Sequence, residues 1–230
     1  MRLNMFKAIT TFGVILLYRL RLYITRYAGF TAVVLRLLKL YERAVAVDLG
    51  SGVGYMARMV SKASGMPVVA VDVRRYDKWN SDRGEEVDYL QADVRYLPLK
   101  SGGVYFVYAL SLLEHVEGWE LVIREAFRVL KCSGLFLVQI PNLKYFVEPH
   151  TYFPLLGFMP GLLRRAIISP THPELQFSCT LKNVVRELDK AGFRVVGVVP
   201  YYHFDRLKLL RIAPSYFIVA LKRCARDSNL

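Results

Sequence analysis

The chain has 230 residues, 54% of them hydrophobic, and its 32 Lys and Arg outnumber 19 Asp and Glu to give a formal charge of +13. This length suits one generous domain or one domain with appendages, and the apolar content excludes global disorder. The charge bears on partners and solubility, not on fold: nucleic acid and anionic membranes attract such a chain, and a proteome that runs basic explains it equally well.

Residues 1–43 carry Arg2, Lys7, Arg19, Arg21, Arg26, Arg36 and Lys39 with no carboxylate before Glu42. A membrane-spanning helix needs about 20 predominantly apolar residues. The uncharged run Ala8–Tyr18 stops short of that at Arg19, and Tyr18-Arg19-Leu20-Arg21 is unlike a signal-peptide cleavage site. Two helices are expected, near 4–25 and 29–41, as an N-terminal helical extension. They cover the edge of the following sheet or, in a sharper reading, lie as basic amphipathic helices on an anionic membrane.

Val45-Ala46-Val47-Asp48-Leu49 reads as a buried strand, followed by Gly50-Ser51-Gly52-Val53-Gly54 and a helix from Tyr55. Glycines permit a tight turn and a close ligand approach, and the helix start offers unpaired N–H groups. The dinucleotide fingerprint would place its third glycine where Tyr55 stands. Pro67–Asp72 is a second buried strand ending in an acid. Asp72 lies 22 positions after Gly50 (72 − 50), near the spacing at which a carboxylate meets ribose hydroxyls in nucleotide-binding α/β folds. Glu86–Asp93 is a third strand, Val104–Leu110 a fourth, and Glu117–Leu130 an amphipathic helix leading to a fifth strand that ends near Pro141-Asn142. Leu181–Gly192 reads as a helix with a glycine stop, and Phe193–Val199 and Pro214–Lys222 as two final strands.

Asp48-Leu49-Gly50-Ser51-Gly52-Val53-Gly54 resembles motif I of class I S-adenosylmethionine (SAM)-dependent methyltransferases, D/E-x-G-x-G-x-G. Asp93-Val94-Arg95-Tyr96-Leu97-Pro98-Leu99 is similar to that family's D-x-x-x-L-P-h loop. Leu130–Asn142 is similar to its L-K-P-G-G run into strand five, with Cys132 and Ser133 departing from Pro and Gly. Ser111-Leu112-Leu113-Glu114-His115-Val116 resembles the x-L-E-H-V signature of the ubiquinone and menaquinone-type branch. The resemblance implies an α/β, Rossmann-like fold: a seven-stranded, mostly parallel sheet with helices on both faces and the last strand antiparallel. It implies SAM as cofactor, held by Asp48, Gly50, Ser51, Gly52, Gly54, Asp72, Val73, Asp93, Val94 and Ser111. Asp93 would accept from the adenine amino group and the Val94 N–H would meet a ring nitrogen. His115 falls beside the methyl group, as base or substrate-positioning residue or as a helix-start residue held locally.

Residues 44–230 then form the methyltransferase domain, with 143–179 as a lid rich in aromatics and prolines over the substrate. Phe146-Val147-Glu148-Pro149-His150 followed by Gly157-Phe158-Met159-Pro160 resembles a pattern in uncharacterised small-molecule methyltransferases and makes His150 a second catalytic candidate. A second insert, 201–212, adds His203 and basic residues. Cys132, Cys179 and Cys224 are odd in number and far apart, so neither a disulfide framework nor a zinc site is expected, which fits a reducing, cytoplasmic setting, peripheral at the membrane if the N-terminus docks there. No metal site is expected. The reaction implied is in-line methyl transfer to a small or lipid-like acceptor, with donor and acceptor aligned at about 3–3.5 Å and water excluded. The alternatives are an RNA methyltransferase using the basic surface, for which no N-P-P-Y or D-P-P-Y stretch speaks, and a non-catalytic SAM-fold binding module.

Overall fold

Ala46–Leu49 has no polar face to show to water except Asp48, and as β1 it is buried along its whole length in the centre of a sheet. A computed structural model describes residues 45–80, 86–142, 159–170, 174–176, 178–201 and 213–224. The expected N-terminal helices, most of the 143–179 segment with His150, and the 202–212 insert lie outside the described residues.

In chain order the elements are β1, α1 (Tyr55–Ser64), β2 (Val68–Asp72), β3 (Val87–Gln91), β4 (Val104–Leu110), α2 (Trp119–Val129), β5 (Leu130–Pro141), α3 (Gly161–Ile168), α4 (Leu181–Lys190), β6 (Phe193–Tyr201) and β7 (Ser215–Lys222). Short 3₁₀ turns follow β2 and β4, at Asp77–Asn80 and Leu113–His115. The seven strands pair in the order β3-β2-β1-β4-β5-β7-β6. All pairs from β3 to β5 are parallel, and β7 runs antiparallel to both β5 and β6.

Side-chain alternation divides the core between the two faces of the sheet. Ala46, Val68, Ala70, Phe106 and Tyr108 pack with Met56, Ala57 and Val60 of α1. Val47, Leu49, Val71, Val107 and Ala109 face the other way, onto Val122, Ile123 and Ala126 of α2 and Val184 and Leu188 of α4. The helices α1, α2 and α4 each bury a stripe at i, i+3 or i+4 spacing, as their apolar periodicity predicts.

The start of β5 departs from a regular strand. Leu130 pairs with Val104 and Leu135 with Phe106, so β5 takes five steps where β4 takes two. Ser133, standing where the resembling pattern has glycine, adopts a left-handed φ of 60°. Gly134 keeps its glycine because a Cβ there would lie 2.8 Å from the Lys131 carbonyl oxygen. The strand survives the Cys-Ser replacement, as expected.

The cysteine expectation is corrected. Cys132 and Cys224 form a disulfide, with Cα atoms 5.3 Å apart across 92 residues of sequence. Antiparallel pairing of β5 with β7 brings Leu135 opposite Leu221, so the beginning of one strand meets the end of the other. Only Cys179 is free, and it is buried. The cysteines therefore no longer argue for a reducing compartment. No described helix is long and apolar enough to cross a membrane.

Candidate active site

Strand order reverses between β1 and β4, the place where ligands bind in open α/β sheets. The loop after β1 is built for close approach. Gly50, Gly52 and Gly54 all take left-handed φ, 72°, 55° and 81°. A Cβ on Gly50 would meet the Leu112 side chain from the far side of the crevice at 2.5 Å, so glycine keeps the two walls together. Nothing lies within 4 Å of a Cβ built on Gly52, the one open position of the three. Gly54 serves packing: a Cβ there would run into Tyr89.

The loop is tied down from β2. The Gly50 and Ser51 N–H groups both donate to the Val71 carbonyl, at 2.9 and 3.0 Å. At the end of β2, Asp72 Oδ2 accepts from the Gly52 N–H at 2.8 Å and Oδ1 from the Arg74 N–H at 3.0 Å. Trp79, which no sequence motif marks, donates its indole N–H to the Gly52 carbonyl at 2.9 Å and stacks on Tyr89.

A cavity of about 270 Å³ opens beside this loop. Of the sequence-derived candidates it brings together Gly50, Asp72, Val73, Asp93, Val94 and His115, and adds Arg95, Leu112, Val116 and Glu117. Asp48, Ser51, Gly52, Gly54 and Ser111 stand outside its lining. Ser111 follows β4 with a left-handed φ of 53°, and its hydroxyl donates to the buried Gln139 side chain at 2.6 Å.

Asp93 is already engaged. Its carboxylate accepts from the Arg95 backbone N–H at 2.9 Å and from the guanidinium through three contacts of 2.7–3.1 Å. The Arg95 hydrogen bonds hold its carboxyl below the usual carboxylate value. Four contacts fill the lone-pair sites of a carboxylate, so an adenine amino group reaches Asp93 only if Arg95 swings away.

Asp48 is 3% exposed on the α1 face of the sheet, opposite Tyr108 of β4. Burial pushes its carboxyl up to about 8; the pull of the Tyr108 hydroxyl opposes this and the charge of Asp72 adds to it. Asp48 Oδ2, Tyr108 Oη and, in the loop itself, Ser51 Oγ reach no hydrogen-bond partner among the described residues. Above about pH 4 the unfolded chain has released the Asp48 proton while the folded one keeps it until about pH 8. Stability therefore falls as pH rises through that window, by about 1.4 kcal/mol per unit at most. Between pH 6 and 8 the wild type loses about 2–3 kcal/mol to this group, and Asp48→Asn flattens the dependence. Urea unfolding of both proteins across that range measures it, and parallel curves would count against the assignment.

His115 closes the 3₁₀ turn after β4, its backbone N–H donating to the Leu112 carbonyl at 2.9 Å. Carboxylates flank its ring: Glu174 Oε1 at 3.7 Å from Nδ1 and the buried Glu114 Oε1 at 4.0 Å from Nε2. The Gln176 N–H donates to the Glu114 carbonyl at 2.7 Å and holds the 174–176 stretch against this turn. Glu174 could not be picked from sequence, since it lies 59 residues downstream (174 − 115) in a stretch without periodic pattern.

A glycine loop after a central strand of a seven-stranded sheet in this order, with an acid ending the next strand, is a Rossmann-like arrangement of the kind seen in methyltransferases of known structure. The comparisons agree. Residues 47–138 match the model of a family described as "Methyltransferase domain". A relative from Mycobacterium tuberculosis (strain CDC 1551 / Oshkosh), described as a "Probable S-adenosylmethionine-dependent methyltransferase", is 29% identical over 177 residues, 74% of this chain and 57% of that protein. The chain thus spans little more than half the length of this curated relative. A sterol 24-C-methyltransferase from Eremothecium gossypii is 29% identical over 101 residues, 41% of this chain and 27% of its own. Among solved structures, an S-adenosylmethionine-dependent methyltransferase from Mesorhizobium loti superposes with a TM-score of 0.63 at 17% identity, covering 78% of this chain and 91% of that one.

The residues present fit SAM. Asp72 lines the cavity with the acceptor a ribose diol needs, and Gly52 leaves open space above the loop.

Proposed function

We propose that the chain is a SAM-dependent methyltransferase that passes a methyl group to a small or lipid-like acceptor. The observation that carries this is one cavity lined together by the motif I glycine Gly50, the β2 acid Asp72, the Asp93-Val94 pair and His115. When bound, SAM supplies a methyl group on a sulfonium. Asp72 accepts from the ribose hydroxyls, the glycine loop lets the ligand lie against the backbone, and Leu112 and Val116 exclude water at the inner wall. His115 accepts the proton that a carbon or phenol acceptor must give up.

The lipid-like acceptor is supported by the likeness to the sterol 24-C-methyltransferase, and the quinone-type branch by the Ser111–Val116 signature. The test is methyl-labelled SAM incubated with the protein and an extract of its own cells. Label in an organic phase is expected. Ribonuclease-sensitive label would overturn the acceptor class and make the basic surface an RNA footprint. Label nowhere, despite S-adenosylhomocysteine (SAH) binding, would favour a non-catalytic SAM-binding module.

A further inference from the structure

The helix α3 buries none of its described side chains. Stepping 100° per residue, Leu162, Ala166, Leu163 and Ile167 fall within one arc of about 140°. Amphipathic helices α1, α2 and α4 bury such an arc against the sheet. In α3 all four residues are exposed, Leu162 to 86%, Leu163 to 57% and Ile167 to 40%. Arg165, off the arc, is exposed as well. The expected lid, in its described part, therefore turns its apolar side chains to solvent and not onto a substrate.

Charge selects what meets this face. From Pro149 to Pro173 the sequence contains Arg164 and Arg165 and no carboxylate, within a chain of formal charge +13. An apolar arc beside cations, lacking acids, complements an anionic lipid interface, where the leucines enter the acyl boundary and Arg165 meets phosphates. A water-soluble acidic protein would need no such exposed leucines. Position agrees. Five residues lie between Ile168 and Glu174, which bounds the helix end to within about 20 Å of the residue beside His115. A bilayer under α3 thus lies within about 20 Å of a residue that flanks the cavity-lining His115.

We infer that α3 is the membrane-docking helix of this protein, seating the cavity on an anionic lipid surface so that a lipid-like acceptor enters from the bilayer. The inference rests on the lipid-like acceptor of the proposed function for its purpose, but its surface is tested separately. The full chain is sedimented with vesicles of phosphatidylcholine alone and of phosphatidylcholine with phosphatidylglycerol, at low and high salt. Wild type is expected to pellet with the anionic vesicles, less so at high salt. Leu162→Asp with Leu163→Asp is expected to lower partitioning about tenfold or more, and Ile167→Asp to act in the same direction. These positions are exposed, so folding is expected to be untouched, with circular dichroism as the check.

Calorimetric titration with SAH, free of lipid, reads the cofactor site independently. SAH binding without vesicle binding sinks the docking helix and leaves the methyltransferase reading standing; vesicle binding without SAH binding does the reverse. A double variant that pellets like wild type moves the membrane contact elsewhere in the chain and overturns the assignment. A wild-type dimer that the double variant dissolves, with no vesicle binding by either, gives the face to a second copy and overturns it equally.

Discussion

Asp72→Ala is expected to lower the affinity for SAH by roughly 10²–10³, with calorimetric titration as the measurement. The carboxylate works on two sides. Toward the protein it accepts the Gly52 and Arg74 N–H groups and so fixes the crest of the glycine loop. Toward the cavity it offers its remaining lone pairs, and a charged acceptor is worth about 1.5–3 kcal/mol for each hydrogen bond it makes. Alanine removes the hydroxyl contacts and leaves two backbone donors to water. Asp72→Asn keeps the shape but presents an amide nitrogen to one of those donors, and a loss of about tenfold is expected. Affinity within threefold of wild type in Asp72→Ala, with unchanged circular dichroism, would remove Asp72 from the cofactor site.

Much of this was legible because the signals are local. Strand, glycine loop and helix are contiguous, and the 22-residue step to Asp72 exists because β2 lies beside β1 and its Val71 carbonyl receives the loop N–H groups. The two faces of the sheet follow from alternation along Ala46–Leu49 and Phe106–Ala109, and the closing antiparallel pair from the last two apolar runs. What escaped is non-local. Trp79 supports the loop 27 residues after Gly52, through a 3₁₀ turn that has no period. The disulfide joins residues brought together only by the β5–β7 register. Arg95 was in plain view beside Asp93, yet a sequence pattern that reserves an acid for adenine does not say that a neighbouring guanidinium already fills it. The α3 arc was readable as apolar, but an apolar arc predicts burial, and only the structure shows it facing outward.

His115→Ala is expected to lower turnover by about 10² or more while SAH affinity stays within twofold of wild type. The separation follows from position. Gly50 and Asp72 enter the cavity lining from the ends of β1 and β2, whereas His115 comes from the turn after β4 with Leu112 and Val116. Glu174 Oε1 lies 3.7 Å from Nδ1, beyond hydrogen-bond distance, so it acts on the ring through its charge. Glu174→Gln keeps an acceptor but removes the charge, and a smaller fall with a displaced pH optimum is expected, a displacement that a merely structural contact would not produce. Single-turnover rates with methyl-labelled SAM and the acceptor recovered from the organic phase measure both variants. Turnover unchanged in His115→Ala would leave the histidine as a helix-start residue. A raised KM with kcat intact would assign it to acceptor binding, because an acceptor that attacks without losing a proton needs alignment and no base.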